Sequence, residues 1–497
     1  LAADEQDRPP RHQNLRATFD YSFDLLEPPL QEVLLKLGVF HLEGFTLAAA
    51  EAVTGATPRQ MKQMLDTALI QRNAEARFTF HPLIQQYVLE RLQQRPDLLA
   101  QVRLAHGKYY FDLVMRWVDE LRGALTLRVV QEFLPEIQNL DQAWHFALDQ
   151  GSYDWLEAAV EIGYVCEMAE LWKEADAAFA NTFAQVPESR PLLRGRLLAF
   201  RTVFAFRAND IQTMRAFGWQ AWELLKESRY VWDAAGALCF LAVGEAFLGN
   251  TPEGLAILDL VDGLDAAAPV RPNSYVASVA SCARPSALFF DRQLTQALPL
   301  LQTMQAPDWF ESRIHLPECY LELGMLDEAH QALEELYAAG LDYGNHRLVV
   351  AAAFYLTLLD SPPETLLSRL VRSLIELTRM DIAYPKIALL GSYLASQLIR
   401  RGHPRWAGYL SCAVLHMLDE LGAHHALHRC ALDTARTLLP VDEERAAQIL
   451  QTLAHAPECS PEIRQQARRA LPPGTFTPHA VNSTPLLEIL NSALIHE

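Results

Sequence analysis

The side chain best placed for chemistry is His81, in the stretch Arg77–Leu92. Phe78 and Phe80 alternate along the chain as in a half-buried strand, and apolar residues at helical spacing follow immediately. Pro82 suits the first position of that helix because its missing N–H group would have no partner there. His81 is therefore predicted to be the N-cap, beside free N–H groups at the positive end of a helix dipole. A phosphate or a carboxylate would bind at such a place.

The densest group of possible metal ligands is His424, His425, His428 and Cys430. His424 and His428 are one helical turn apart and could share a metal ion. No third ligand follows at a defined spacing, and an ordinary repeat helix is the alternative interpretation. We predict no metal site. The sequence also shows no pattern of nucleophile, base and acid, so we predict no catalytic residues and no enzymatic activity in this chain.

The charge balance excludes some classes of partner. The 497 residues contain 42 basic and 61 acidic side chains, a net charge of −19, and most of the negative charge falls after residue 95. A chain this acidic is a poor general binder of nucleic acid or of an anionic membrane. The acidic part favours a cationic or peptide-like partner. No apolar run approaches the roughly 18–20 residues that span a bilayer, so we predict no membrane partner.

The cysteines and the first residues indicate where the protein is found. Seven cysteines are scattered singly without a C-x-x-C pair, which is typical of a reducing compartment, and we expect a cytoplasmic protein. The chain starts LAADEQDRPP, with no initiator methionine and no signal-peptide pattern. We interpret the chain as part of a longer protein.

The first hundred residues carry the signals of several short helices and one hairpin. Thr46 is a predicted N-cap, and Thr57–Gln60 is a predicted capping box with proline at the first helical position. Leu69–Gln71 and Ala76–Phe80 are predicted to pair around the turn Arg72–Glu75. Helices followed by a two-stranded wing and a closing helix make a winged-helix domain.

Later residues predict a helical arm and then helical repeats. In the arm, Trp144 and Phe146 are predicted core residues. The clearest repeat, YLELGMLDEAHQAL, has a turn glycine at Gly324 and matches tetratricopeptide spacing. A small residue recurs where two helices should touch closely, in most steps after about 40 residues; the step from 297 to 329 is shorter, and the step from 329 to 407 skips one unit. These positions are Ala175, Met214, Gly254, Ala297, Ala329, Ala407 and Ala446.

The predicted fold is all-α with a small two-stranded wing. Stacked helix pairs cover one another's apolar faces and form a superhelix with a concave surface. The predicted segments are a lead-in (1–13), a winged-helix domain (14–95), a helical arm (96–150), a tetratricopeptide-like sensor (151–470), and a linker with a C-terminal capping helix (471–497).

The run NLRATFDYSFDLL, followed by LQEVLLKLGVFHLEGFTLAAAEAVTG and RFTFHPLIQQYVLERL, resembles the winged-helix domain of the signal-transduction ATPases with numerous domains (STAND). The resemblance covers about residues 12–95, and the later repeats resemble the sensor domains of bacterial maltose-type regulators. In that family a Met-His-Asp motif at this junction supplies a histidine that contacts the β-phosphate of ADP. Phe80-His81-Pro82 occupies the same place, so the resemblance implies that role for His81, while the methionine and the aspartate do not carry over.

The resemblance implies partners and cofactors outside this chain. No G-x-x-x-x-G-K-[ST] phosphate loop occurs here, so the chain alone is expected to bind no cofactor. ADP or ATP with Mg²⁺ would be held by an upstream nucleotide-binding domain of the parent protein. The repeat groove would bind an unknown inducer (a small molecule, peptide or protein), with Tyr164, Glu167 and Glu318 as inward-facing candidates.

Two functions are therefore open. In the first, the chain is the regulatory and sensor part of a STAND switch, and it holds the nucleotide-binding domain in its ADP-bound resting state. In the second, it is a tetratricopeptide scaffold whose winged helix is a packing module or contacts DNA. Only four basic residues could contact DNA phosphates in a DNA-binding winged helix. Because so few positive charges give weak attraction to DNA, we do not expect direct nucleic-acid binding. The four basic residues are Arg59, Lys62, Arg72 and Arg77.

Overall fold

The computed structural model divides the chain into two compact units, unit 1 (Leu1–Arg194) and unit 2 (Gly195–Glu497). In the part that it describes, the secondary structure is helical apart from one two-stranded hairpin and one isolated bridge, which confirms the all-α prediction. The predicted segment boundaries stay a prediction. The described residues are 19–123, 127–208, 210–264, 272, 274–304, 311–343, 345–360, 391, 395, 398, 402–420, 424–440, 442–456, 459 and 461–472.

Unit 1 begins with helices α1 (Pro28–Leu37), α2 (Leu47–Thr54) and α3 (Pro58–Asp66). The predicted cap of α2 is confirmed, because Thr46 Oγ1 accepts a hydrogen bond at 3.1 Å from the N–H group three residues later. Gly55 follows α2 with a φ of 75°, a left-handed conformation that a residue without Cβ adopts at little cost. Local signals thus fix both ends of this helix.

The predicted capping box at the start of α3 is also confirmed. The N–H group of Thr57 donates to Gln60 Oε1 at 2.9 Å, and the N–H group of Gln60 donates to Thr57 Oγ1 at 3.3 Å. Before α1, the spacing of Leu15, Phe19, Phe23 and Leu26 predicts a first helix. Residues 19–24 are helical and the Phe23 side chain is buried, whereas Leu15 lies outside the described residues.

The predicted hairpin is confirmed with shorter strands than expected. Strands β1 (Gln71–Arg72) and β2 (Phe78–Thr79) pair antiparallel. The turn begins at Asn73, one residue later than predicted. Asn73 Oδ1 organises it by accepting hydrogen bonds from the N–H groups of Glu75 (3.1 Å) and Arg77 (2.9 Å). A bridge between Phe45 and β2 adds a third segment to the small sheet.

The predicted arm shares its core with the helices before it. Helix α5 packs against α2, α4 and α7. Phe40 and Phe45 stack with ring centroids 4.4 Å apart, and Tyr110 on α5 meets Phe40 edge-on at 6.5 Å. The elements of this region are α4 (Pro82–Gln93), α5 (Pro96–Gly123), α6 (Leu127–Phe133), a 3₁₀ turn (Leu134–Glu136) and α7 (Ile137–Asp149).

Trp144 on α7 packs as predicted. Its ring stacks on that of Phe179, with centroids 5.6 Å apart and planes at 10°, and its Nε1 donates to Thr182 Oγ1 at 2.8 Å. Phe146 lies against Gly107 on α5, where an added Cβ would come within 3.1 Å of the phenyl ring.

Four further helices are α8 (Tyr153–Ala159), α9 (Ile162–Met168), α10 (Trp172–Gln185) and α11 (Pro191–Arg207). The boundary between the two units falls within α11.

Unit 2 is built from helices that pack on their sequence neighbours. Helix α13 packs against α12, α14 and α15, α18 packs against α17 and α19, and α21 packs against α20, α22 and α23. The bounded helices are α12 (Ile211–Leu225), α13 (Val231–Phe247), α14 (Thr251–Asp262), α15 (Ser274–Phe290), α16 (Leu294–Gln302), α17 (His315–Leu323), α18 (Leu326–Tyr343), α19 (His346–Asp360), α20 (Pro404–Glu420), α21 (His424–Leu438), α22 (Glu443–His455) and α23 (Pro461–Ala470).

The small residues predicted at helix contacts are buried at all seven positions. Gly254 shows why size matters there, because an added Cβ would lie 2.5 Å from the carbonyl oxygen of Ala242 on the preceding helix. The predicted turn glycine is confirmed as well: α17 ends at Gly324, which has a φ of 77°. The hairpin-like pairing of α17 and α18 therefore follows from local sequence.

The C-terminal capping helix predicted within residues 471–497 lies outside the described residues, apart from 471 and 472. Across the described residues, no helix combines the length and the apolar character needed to cross a bilayer.

Candidate functional site

His81 is the N-cap of α4, as predicted from the sequence. Its backbone is extended (φ −66°, ψ 136°), its side chain is exposed, and its Nδ1 accepts a hydrogen bond from the N–H group of Leu83 at 3.3 Å. Because Nδ1 is an acceptor, the neutral ring carries its proton on Nε2. Nε2 makes no hydrogen bond with any residue that the structure describes, so it can donate to an oxyanion from outside.

Buried neighbours hold His81 in place on both sides. Phe80 is buried, with its ring centroid 6.3 Å from that of Phe45. On the helix side, the buried Gln85 donates from Nε2 to the carbonyl oxygen of Phe40 at 2.5 Å. The exposed ring thus projects from a backbone that is anchored before and after it.

A buried polar network, which we call the wing–arm network, lies behind the hairpin. Arg77 donates from Nη1 to Glu136 Oε1 at 2.6 Å and from Nη2 to the carbonyl oxygen of Gly44 at 2.7 Å. The hydroxyl of Tyr110 donates to Glu136 Oε2 at 3.0 Å, and Asn139 Nδ2 donates to the carbonyl oxygen of Gly44 at 2.9 Å. The network joins the hairpin to α5, to α7 and to the loop before α2.

Burial sets the protonation states in this network. Desolvation opposes the charge of Arg77, but the hydrogen bond and negative charge of Glu136 outweigh it and raise the pKa of Arg77. Burial, with Glu136 beside it, also raises the pKa of Tyr110. His106, packed against Tyr110 with ring centroids 4.6 Å apart, has its pKa lowered to about 4 by burial, which a hydrogen bond with Asn139 partly offsets. At neutral pH the network holds one ion pair and a neutral imidazole.

The same network corrects the assignment of basic residues to a DNA-binding face. Arg59 and Lys62 on α3 and Arg72 on β1 are exposed. Arg77, the fourth basic residue counted there, is only 7% exposed and is paired with Glu136, so it does not belong to an exposed basic face. Its side chain points into unit 1 because Glu136 and a carbonyl oxygen there satisfy its charge and its donors.

Tyr164 and Glu167, two of the predicted inducer contacts, lie on α9 in unit 1 and are 3% and 4% exposed. A side chain so covered meets a solute only after its neighbours move. Their role in inducer binding stays a prediction.

Glu318, the third predicted inducer contact, belongs to unit 2 and is already engaged on both oxygens. Oε1 accepts a hydrogen bond from the hydroxyl of Tyr355 at 2.7 Å, and Oε2 is 2.8 Å from Nδ1 of the buried His315. The ring of His315 stacks on Phe289, with centroids 5.0 Å apart. In this arrangement Glu318 orients His315, and direct contact with an inducer stays a prediction.

Of the four possible metal ligands near the start of α21, the structure describes the side chains of His428 and Cys430, and those of His424 and His425 lie outside it. His428 is buried, and within the described part of the chain no group of three or more histidine, cysteine, aspartate or glutamate side chains could hold a metal ion.

The wing–arm network was missed at the sequence level, although a signal for it was present. Glu136 and Asn139 fall at helical spacing with Ala143 and Ala147, which are buried. Two polar residues on the apolar face of a helix require buried partners. The sequence does not say that the partner is Arg77, 59 residues earlier.

No family model and no curated protein matches the chain. Among solved structures, one match is a signal-transduction ATPase with numerous domains (STAND) that carries a tetratricopeptide-repeat sensor, from Pyrococcus horikoshii. It has a TM-score of 0.48 and 14% sequence identity, and the match covers 88% of this chain. The chain spans 64% of the length of that protein's chain.

Proposed function

We propose that this chain is the regulatory and sensor part of a STAND signal-transduction ATPase. In this proposal residues 14–95 are the winged helix that closes over a nucleotide-binding domain of the same longer protein. Residues 151–470 form a tetratricopeptide-like superhelix that binds an inducer. The nucleotide, ADP or ATP with Mg²⁺, is held mainly by the nucleotide-binding domain, and this chain itself is not catalytic.

The observation that carries the proposal is the position of His81. Its exposed ring stands at the first turn of a 12-residue helix, and its Nδ1 is occupied by a backbone N–H group. That arrangement leaves Nε2 as a hydrogen-bond donor beside the positive end of a helix dipole, which suits the β-phosphate of ADP.

The wing–arm network supports a mechanical role for the hairpin that precedes His81. A buried ion pair joins Arg77, the residue before β2, to Glu136 in the turn before α7, so in this proposal the arm and the histidine are mechanically coupled. A signal that displaced the arm would displace the phosphate contact with it. This supports the proposal that the arm transmits a signal between sensor and nucleotide.

The sensor role is supported by the paired helices of unit 2 and by the acidic charge of the chain after residue 95. An inducer shifts a resting state toward an active state only by its differential affinity for the two states. A change from mostly resting to mostly active requires about 5 kcal/mol. Extensive contact with a groove of stacked helices could supply that difference.

The test uses the longer protein that contains this chain. We expect purified wild-type protein to retain ADP, measured by chromatography after denaturation, and His81→Ala to lose most of it and to raise basal output. His145→Ala is the matched control, because His145 is also an exposed histidine of unit 1, but its Nδ1 donates to the carbonyl oxygen of Asp141, whereas Nδ1 of His81 accepts. Equal ADP retention in all three proteins, or a gene without a phosphate-loop domain next to this region, would support the scaffold instead.

A further inference from the structure

Four charged side chains from distant parts of unit 2 meet in one place, which we call the arginine cluster. Arg292, just after α15, pairs with Glu322 on α17 and donates from Nη2 to Asp433 Oδ2 on α21 at 3.5 Å. Arg429, also on α21, places its Nε 3.7 Å from the same Asp433 oxygen. The two arginines therefore compete for one carboxylate.

Arg429 is the unusual member because it is largely covered and makes no hydrogen bond with a residue that the structure describes. Its side chain is only 11% exposed, and its Nε is inaccessible to solvent and makes no hydrogen bond within the described part of the chain. None of its guanidinium nitrogens donates a hydrogen bond to any of the described residues. The two Nη atoms, unlike Nε, are not among the atoms buried away from solvent without a partner. Leaving the donors of a charged group unpaired in a desolvated place is costly.

The electrostatics agree with this geometry. Burial and the nearby charge of Arg292 lower the pKa of Arg429 to about 10, only partly offset by Asp433 and Glu322. Arg429 is still protonated at neutral pH, so its charge is incompletely balanced. Arg436 brings a third guanidinium to within 4.0 Å of Asp433, which gives three arginines for two carboxylates.

The backbone of Arg292 shows that this position is maintained at a cost. Arg292 has a φ of 59°, which lies in the left-handed region. This conformation ends α15, because the N–H group of the next residue, Gln293, donates a hydrogen bond to the carbonyl oxygen of Leu288. Helices that end in this way usually place glycine there. An arginine in the strained position keeps its side chain in the cluster.

We propose that the arginine cluster is a binding site for a small oxyanion, a carboxylate or a phosphate, held by the Nη donors of Arg429 with the charge of Arg292 behind them. A guanidinium presents parallel N–H groups that match two oxygens of such an anion. Asp433 is the internal competitor for the same charge, so it limits the affinity for the anion. This inference stands on the cluster alone and does not depend on the proposed function.

The test follows the melting temperature of this chain during titration with sodium acetate and, separately, sodium phosphate, with sodium chloride at equal ionic strength as the reference. An anion that binds the folded state raises Tm with concentration. We expect a rise with acetate, phosphate or both, beyond that with chloride, and the two arms identify which oxyanion is preferred. The same response to all three salts would overturn the proposal.

Two variants with opposite expected effects assign the response to the cluster. Arg429→Gln should abolish the anion-specific rise, whereas Arg284→Gln, a matched variant of a surface arginine that is paired with Asp259 and Asp262, should keep it. Asp433→Asn removes the competing carboxylate and should tighten anion binding, roughly tenfold. If Arg429→Gln does not fold, Asp433→Asn decides, because a purely structural cluster would lose stability without any gain in anion affinity.

Discussion

Arg77 Nη1 lies 2.6 Å from Glu136 Oε1, although 59 positions separate the two residues and both are more than nine-tenths buried. The pair links a surface hairpin to the turn that opens α7. Because a buried ion pair is costly to desolvate, its stabilising effect depends on both partners being present.

Removing one partner should cost more than removing both charges. We expect Arg77→Met to lower the free energy of unfolding by about 3–5 kcal/mol, because it leaves a buried carboxylate without its cation. The double variant Arg77→Met/Glu136→Gln should recover a large part of that loss, since the glutamine oxygen still accepts from Tyr110. Urea unfolding measures both. Arg72→Met, an exposed arginine on the paired strand, is the control and should change stability by about 0.5 kcal/mol or less. A single variant no less stable than the double variant would contradict the pairing.

His106 should make the folded chain sensitive to acid. Its pKa is about 4 when folded and about 6.5 when unfolded, so above pH 6.5 it is neutral in both states and has no effect. As pH falls from 6.5 to 4, only the unfolded chain gains the proton, and about 3 kcal/mol of stability is lost. Urea unfolding at pH 7.0 and 4.5 should show a smaller difference in His106→Gln than in wild type. His145→Gln, an exposed histidine, should behave like wild type, and an unchanged acid response in His106→Gln would refute the assignment.

Gly254 should not tolerate even a methyl group. A Cβ there would lie 2.5 Å from the carbonyl oxygen of Ala242, so α13 and α14 would have to separate, at a cost of about 1–3 kcal/mol. Gly236→Ala is the matched control in a neighbouring helix. Its added Cβ would make an ordinary 3.4 Å contact with Val276, and helix propensity favours the change by up to about 1 kcal/mol. Thermal unfolding should move in opposite directions for the two variants, and a similar shift in both would argue against tight packing at Gly254.

The chain by itself should not bind ATP. It contains no phosphate-loop sequence, and His81 alone provides one side-chain donor to a triphosphate. Isothermal titration of this chain with Mg²⁺-ATP should give no binding heat at micromolar protein concentration. Saturable heat that persists in His81→Ala would reveal a nucleotide site elsewhere and would contradict the proposed division of labour.

Local signals in the sequence predicted the elements that depend on one or a few neighbouring residues. The cap at Thr46, the capping box at Thr57, the N-cap at His81 and the turn at Gly324 all have their cause within a few positions. The hairpin was predicted in the right place but with strands that were too long, and the side chain of Asn73 organises the turn one residue later than expected.

Features that depend on distant residues could not be read from the sequence. Arg77 was counted among the basic residues of the predicted wing, yet its partner Glu136 is 59 residues away. Arg292 and Asp433 meet across 141 residues. Glu318 was expected to face a groove, but both of its oxygens are taken by His315 and Tyr355. Composition and helical spacing predict which face of a helix is buried. Only the fold determines which distant residue packs against that face.

The wing–arm network also determines how this protein can be divided for experiments. A recombinant piece that stops at the end of α4, close to the predicted domain boundary at residue 95, would keep Arg77 and leave out Glu136, Asn139 and Tyr110. Such a piece would carry an orphaned guanidinium and an uncovered aromatic surface around Phe40, and it should aggregate. A piece that extends to Asp149 would retain every member of the network, which makes the end of α7 the earliest sensible place to cut.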